Sequence, residues 1–227
     1  MRHTYWVRQI GKNFILNSKQ IKNNFDLDRL EALCLLHDTG RFYKINSVGK
    51  LVDNWDHAII GYNILKQDKT YNKQSKLLLW VKYHNAISNL AMKKDKLFID
   101  LKKDGRKKAL FYLKFIKDID KLQNFSRNNF ISDLDEVMLS MSKKTWEYTK
   151  SNLKDLLNWK ILSSKKQNTL IDRYLFILGR INDLNFDFSI NYVKNINFLS
   201  KIMIKLNKLN FEEIELVEKY FNKEYGL

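Results

Sequence analysis

The 227-residue chain contains no proline and only seven glycines. The usual helix breakers are therefore missing, and long apolar periodicities read as helix joined to helix. A single cysteine, Cys34, excludes an internal disulfide. Lying within the apolar run LEALCLL, it reads as a small core residue and not as a nucleophile. No apolar run is long enough to span a bilayer, and the N-terminus lacks a signal-peptide pattern. A soluble, cytoplasmic protein with no membrane partner is expected. Acidic residues are scarce, 25 against 41 Lys and Arg, for a formal net charge of +16. Such a surface attracts phosphate-bearing partners, nucleic acid included. Equally, a Lys-, Asn- and Ile-rich composition can leave lysines merely solvating helix faces. The lysines are scattered and no Arg-rich or aromatic-interleaved segment stands out, so nucleic acid is not the favoured partner.

What is present is a core. Hydrophobic residues make up 44 % of the chain, enough for one sizeable domain or a domain with a large helical extension. Periodicity and capping residues place helices at about 3–16, 28–38, 53–66, 72–84 and 105–124. Gly40 is positioned to end the second, and Asp53 to cap the third. Further helices are expected at about 132–158, 165–182, 190–207 and 211–223. The polar patch Asn124 to Asn129 is the only reasonable boundary. An all-α architecture follows: a helical bundle over residues 1–125 and a C-terminal helical extension over 126–227, packed on it as one body. Trp146, Trp159, Tyr174, Phe176, Phe186, Phe188 and Phe198 read as core aromatics of that extension. The stretch from Gly105 to Lys108 reads as a turn into a helix with a solvated face.

All four histidines precede residue 85, and their register carries the argument. Trp6, Val7, Ile10 and Phe14 follow His3 on one helical face. His37 follows Leu30 and Leu33, and His57 precedes Ile60, Gly61 and Ile64. His84 follows Leu77 and Val81, while Asp120 follows Ala109, Leu113 and Ile116. Five helices thus each aim an ionisable group at the core, and Asp38 adjoins His37. Burying so many polar groups is costly unless each finds a partner. Inward carboxylates with imidazoles suit a divalent cation, which supplies the missing charge and takes the nitrogens directly. A His-Asp pair at a helix end can straddle one metal, its side chains diverging by about 100°.

The segment LLHDTGRF at 35–42 resembles the signature of the HD phosphohydrolase superfamily. DHAIIGYNIL at 56–65, VKYHN at 81–85 and IKDIDKL at 116–122 follow in the family's order, after an early His3. The His-Asp dipeptide alone is a weak signal; the ordered six positions are a strong one. The resemblance covers about residues 3–125, and residues 171–193 resemble the C-terminal part of uncharacterised bacterial members. It departs at the N-terminus, where relatives usually carry a helix before the first histidine.

The resemblance implies an HD-domain fold with His3, His37, Asp38 and Asp120 holding a first metal. His57 and His84 would hold a second, bridged through Asp38, or else bind phosphate or act as general acid. Two divalent ions are expected, iron or manganese by resemblance, with zinc, cobalt, nickel and magnesium open on ligand chemistry. Asp38 would orient an activated water for in-line attack on phosphorus. Arg41 is the leading phosphate-binding cation because its fork fits phosphate bidentately; Lys121 is the second candidate. Asp56 is a possible support for a histidine. The expected substrate is a phosphate ester of a nucleotide or small phosphorylated metabolite. Alternatives are a phosphodiesterase or nuclease on a cyclic, di- or oligonucleotide, a non-catalytic nucleotide-sensing module, and nucleic-acid binding without chemistry.

Overall fold

The computed structural model describes residues 2–18, 21, 25–43, 57–86, 90–126, 147–160, 162 and 167–227. Asp53, Asp56, Trp146 and the start of the helix expected near residue 132 lie outside them. Among the described residues there are twelve α-helices, one 3-10 helix and no strand, the all-α class expected. No helix among them is long and apolar enough to cross a membrane. The chain divides into two compact units, Met1–Gln123 and Asn124–Leu227.

The first unit holds α1 (Arg2–Asn17), α2 (Leu27–Leu36), a 3-10 helix (Thr39–Tyr43), α3 (His57–Gln67) and α4 (Ser75–Tyr83). Two short helices absent from the expectation, α5 (Leu90–Lys93) and α6 (Lys96–Ile99), precede the long α7 (Lys103–Ser126). Helix α7 is the column the others lean on. Its Ala109, Leu113, Ile116 and Ile119 are fully buried. Phe115 stacks on Phe14 of α1 and Tyr112 stacks on Trp80 of α4, with centroids 5.4 and 4.1 Å apart. Asp26 starts α2 by accepting from the Arg29 amide, and its own amide donates to Tyr112 Oη at 3.0 Å. Asp95 plays the same capping part for α6 and also takes Lys82 Nζ and Tyr83 Oη, each at 2.8 Å.

Gly40 does not end α2 as expected. That helix stops at Leu36, and Gly40 sits inside the 3-10 helix. The reason for a glycine there is proximity: a Cβ at Gly40 would lie 1.9 Å from the His57 carbonyl oxygen and 2.6 Å from the Gly61 amide nitrogen. The 3-10 helix and α3 thus meet backbone to backbone. Gly11 plays a comparable part between α1 and α2, where a Cβ would stand 2.7 Å from Cys34 Sγ. Cys34 is buried, and burial pushes its thiol pKa up, consistent with a packing role.

The second unit contains α8 (Lys150–Leu157), α9 (Leu170–Gly179), α10 (Asp187–Asn195), α11 (Phe198–Lys208) and α12 (Ile214–Tyr225). Helix α9 forms its centre, with Leu170, Ile171, Tyr174, Leu175, Ile177 and Leu178 buried. Residues 147–149 are not helical, so the helix expected through 158 is broken there. Buried Asp172 of α9 explains the break. It accepts from the Thr149 amide and hydroxyl, both at 2.8 Å, and from Asn152 Nδ2 at 2.9 Å, pinning the chain at the start of α8.

The helix expected over 190–207 is two helices, divided at Asn197, whose φ of 51° is left-handed. Asn210 does the same after α11, with Phe211 N bonding back to the Leu206 carbonyl. Trp159 does it after α8, its φ being 59°. Trp159 N bonds to Leu156 O and Lys160 N to Asp155 O, a paired helix stop in which glycine is usual. A chain so poor in glycine stops these helices with asparagine and even tryptophan. Among the core aromatics expected here, Tyr174 and Phe198 are buried, and Phe176, Phe186 and Phe188 are half-buried. Trp159 is a correction: it is exposed, its ring resting near Tyr225 and Tyr220.

Candidate metal centre

Each candidate ligand is positioned by apolar neighbours on its own element. His3 lies one turn before buried Val7, Ile10 and Phe14 of α1. His37 is the C-cap of α2, its amide bonding to the carbonyl of buried Leu33 at 3.0 Å. Asp38 follows in the turn, and Arg41 N returns to the Asp38 carbonyl at 2.9 Å. His57 stands beside buried Ala58, and His84 is the C-cap of α4, just after buried Val81. Asp120 lies on the face of α7 that carries Leu113 and Ile116. Trp6, expected on the core face of α1, departs from it: the indole is 48 % exposed while Val7 is fully buried.

The six residues converge as two triads, His3–His37–Asp120 and Asp38–His57–His84, either of which could hold a metal ion. In the first, His3 Nε2 and His37 Nε2 stand 3.1 and 3.8 Å from Asp120 Oδ1. In the second, His57 Nε2 and His84 Nε2 stand 3.2 and 3.5 Å from Asp38 Oδ1, and 3.1 Å from each other. Asp38 belongs to both groups, because its Oδ2 lies 3.2 Å from His3 Nε2 and 3.7 Å from His37 Nε2.

These spacings bear on whether the residues fit a cation. Two ligands at about 2.1 Å from one ion stand about 3.0 Å apart at a right angle and about 3.4 Å apart at a tetrahedral one. The separations of His3, His57 and His84 from the carboxylates, 3.1–3.5 Å, fall near those edges, and those of His37, 3.7 and 3.8 Å, are slightly wider. Further, His3 Nε2, His37 Nε2 and Asp38 Oδ1 are buried without a hydrogen bond. Buried polar atoms are rarely left so, and their convergence on shared points is what a divalent cation satisfies. The donor set of four imidazoles and two carboxylates therefore fits a metal.

The far side of each imidazole is fixed as well. His37 Nδ1 donates to Cys34 O at 2.9 Å, and His84 Nδ1 donates to Val81 O at 2.8 Å, which fixes each ring with Nε2 turned inward. His3 Nδ1 lies 2.5 Å from Oε1 of Gln123. Gln123 is a residue the sequence reading missed. Its signal was available, since it follows Asp120 by three on the same face of α7. Lys117, three residues before Asp120, is a second omission: its Nζ donates to Ala86 O at 2.6 Å and holds the segment just after His84.

Electrostatics follow the geometry. Burial pulls the His3 imidazole down, but the Asp120 and Asp38 carboxylates outweigh it and raise its pKa to about 9. Burial likewise works against charge on Asp38, and His3, His57 and His84 together hold its carboxyl well below the usual range. Asp120 is lowered in the same way, chiefly by His3 and His37 against its own burial. Arg41 joins the cluster through Nε, 2.6 Å from Asp38 Oδ2, with half of its side chain exposed. Lys121, next to Asp120 on α7, is buried.

Exposure is graded across the centre. The side chain of His3 is 27 % exposed and that of His37 is fully buried. Asp120 is part-exposed, and His84 and Asp38 are closed off. Among the described residues, exposure at the centre falls on the side chains of His3, Asp120, His57 and Arg41.

No curated protein and no solved structure matches the chain. The HD domain matches residues 1–124, the stretch that carries both triads. The chain belongs to the HD-domain family, whose members are generally metal-dependent phosphohydrolases.

Proposed function

We propose that this protein is a phosphohydrolase that cleaves a phosphate ester of a nucleotide or another small phosphorylated metabolite, using two divalent metals, iron or manganese. The observation that carries the reading is Asp38, whose two oxygens each face a different pair of imidazoles. One carboxylate placed between two such groups is arranged to be shared. His3, His37 and Asp120 would hold one ion, His57 and His84 the other, with Asp38 between. A metal bound there supplies Lewis acidity, acidifying a water and polarising a phosphoryl oxygen.

The chain's own residues do the rest. The carbonyls of Cys34 and Val81 hold the Nδ1 side of His37 and His84, so that Nε2 is the nitrogen each ring presents to the centre. Asp38 sets the direction of the attacking water. Arg41 reaches a non-bridging phosphate oxygen with the guanidinium edge that is turned to solvent, while its Nε stays on Asp38. Lys121 is the second candidate for that contact. The buried walls around His37 and His84 exclude bulk water, which strengthens each of these interactions.

The test combines composition and turnover. Protein purified without oxygen should contain two metals per chain by elemental analysis, and should hydrolyse members of a broad phosphate-ester panel. Asp38→Ala should reduce kcat at least about 1000-fold while retaining the helical circular-dichroism spectrum. Fully loaded wild type that turned over nothing while binding a nucleotide would replace this reading with a sensing module.

A further inference from the structure

We infer that Trp6 is a specificity residue of this centre, providing the aromatic face on which the nucleobase of a nucleotide substrate stacks. This rests on the phosphohydrolase reading above and names the substrate class that reading leaves open. Three observations converge on it.

The first is helical position. Trp6 follows His3 by three residues on α1, so their Cβ atoms are about 5–6 Å apart on adjoining parts of the helix surface. Side chains on a helix lean toward its N-terminus and cover the preceding turn. The indole of Trp6 therefore leans over the turn that carries His3. Other exposed apolar residues near ligands fail this criterion. Leu35 and Ile59 are each two residues from theirs, His37 and His57, which on a helix is about 200° away.

The second is the direction of access. Of the six candidate ligands the His3 side chain is the most exposed, at 27 %, followed by Asp120, whereas His37 and His84 are closed off. With phosphate among the Nε2 and carboxylate atoms, the remainder of the ester would, on this proposal, leave past His3. On that path the neighbouring exposed aromatic of α1 is Trp6.

The third is that the indole is available and held. It is 48 % exposed, and its ring makes a T-shaped contact with Tyr5, with centroids 5.7 Å apart. One T-shaped neighbour can cover at most one of the two faces of the indole. Aromatic faces take bases with little regard to sequence or hydrogen bonding, so the inference concerns the presence of a base and not its identity.

The experiment uses the metal-loaded full chain and two monoesters of a ribose 5′-hydroxyl, adenosine 5′-monophosphate and ribose 5-phosphate, which differ by the base. For wild type, kcat/KM should favour the nucleotide, chiefly through KM. Trp6→Ala should lower the ratio of the two kcat/KM values about tenfold, and Trp6→Phe should restore most of it. Binding is measured in parallel by calorimetry. Trp6→Ala should weaken adenosine 5′-monophosphate by the same factor relative to ribose 5-phosphate, and tryptophan fluorescence quenched by the nucleotide in wild type should be lost in Trp6→Phe. If neither ester were hydrolysed, the phosphohydrolase reading would suffer, and the binding arm would still decide this inference. Equal ratios in wild type and Trp6→Ala, or no nucleotide binding at all, would overturn it.

Discussion

Gly40 offers the sharpest test of how the fold positions the centre. An alanine there would put Cβ 1.9 Å from the His57 carbonyl oxygen, 2.6 Å from Gly61 N and 2.9 Å from His57 C. Carbon–oxygen contacts settle at about 3.3 Å or more, so backbone must separate by about 1.4 Å. No side-chain rotamer can absorb this, because all three neighbours are main-chain atoms. The cost is at least about 3 kcal/mol, the upper end for overpacked sites, which corresponds to a melting temperature lower by roughly 6–12 °C. The displacement falls on the residue that carries His57, whose Nε2 is held 3.2 Å from Asp38 Oδ1 and 3.1 Å from His84 Nε2. Losing that placement should take metal content from two ions toward one per chain. Elemental analysis and a thermal melt measure both effects on one preparation. Gly105→Ala serves as the control, since its Cβ would meet only the Leu101 side chain at an ordinary 3.4 Å. That change should be neutral or stabilising by up to about 1 kcal/mol. A Gly40→Ala protein that melts with wild type and keeps both ions would refute the reasoning.

Gln123→Ala removes the partner of His3 Nδ1 and should weaken metal binding about 10- to 100-fold, read by competition with a chelator; an unchanged affinity would remove Gln123 from the site. Because the carboxylates raise His3 to about 9, the imidazole is protonated at pH 7.5 in metal-free protein, and loading must expel that proton. Calorimetry in buffers of different ionisation enthalpy should record the release, and apparent affinity should rise with pH until about 9. The sign for stability is opposite: the charged His3 stabilises the metal-free fold most fully below its unfolded value of 6.5, and that contribution fades as pH climbs through about 9. In the second unit, Asp172→Ala strands the Thr149 amide, the Thr149 hydroxyl and the Asn152 amide. At about 1 kcal/mol or more for each stranded donor, denaturant unfolding should show a loss of at least about 3 kcal/mol, with metal content unchanged.

The centre was legible because each ligand sits at the end of a buried apolar face, and such faces are written in local sequence. Val7, Ile10 and Phe14 point back to His3, and Leu113 and Ile116 point on to Asp120. What was not legible depends on contacts made far along the chain. Gly40 looked like a helix stop, and only the backbone of α3 reveals it as a point of contact. The break at residues 147–149 is enforced by Asp172, 23 residues beyond Thr149. Asn197 and Trp159 end helices without glycine, so the periodicity through Asn197 appeared continuous. Trp6 looked like core because its spacing from His3 is right; three residues bring it only to the margin of the face.

The sharing of Asp38 has a consequence for charge balance. On the proposed two-metal reading, six ligands would hold two ions with only two carboxylates, one carboxylate serving both triads. Neutral imidazoles cancel nothing, so two divalent ions would leave the centre about two charges positive. A terminal phosphate near neutral pH brings about −1.5 to −2 and closes that deficit. A phosphodiester brings one charge and leaves the centre cationic. Arg41 at the rim tilts the balance further in the same direction. On that reading, economy in carboxylates would act as a form of selectivity, favouring an ester whose phosphate stands at the end of the molecule.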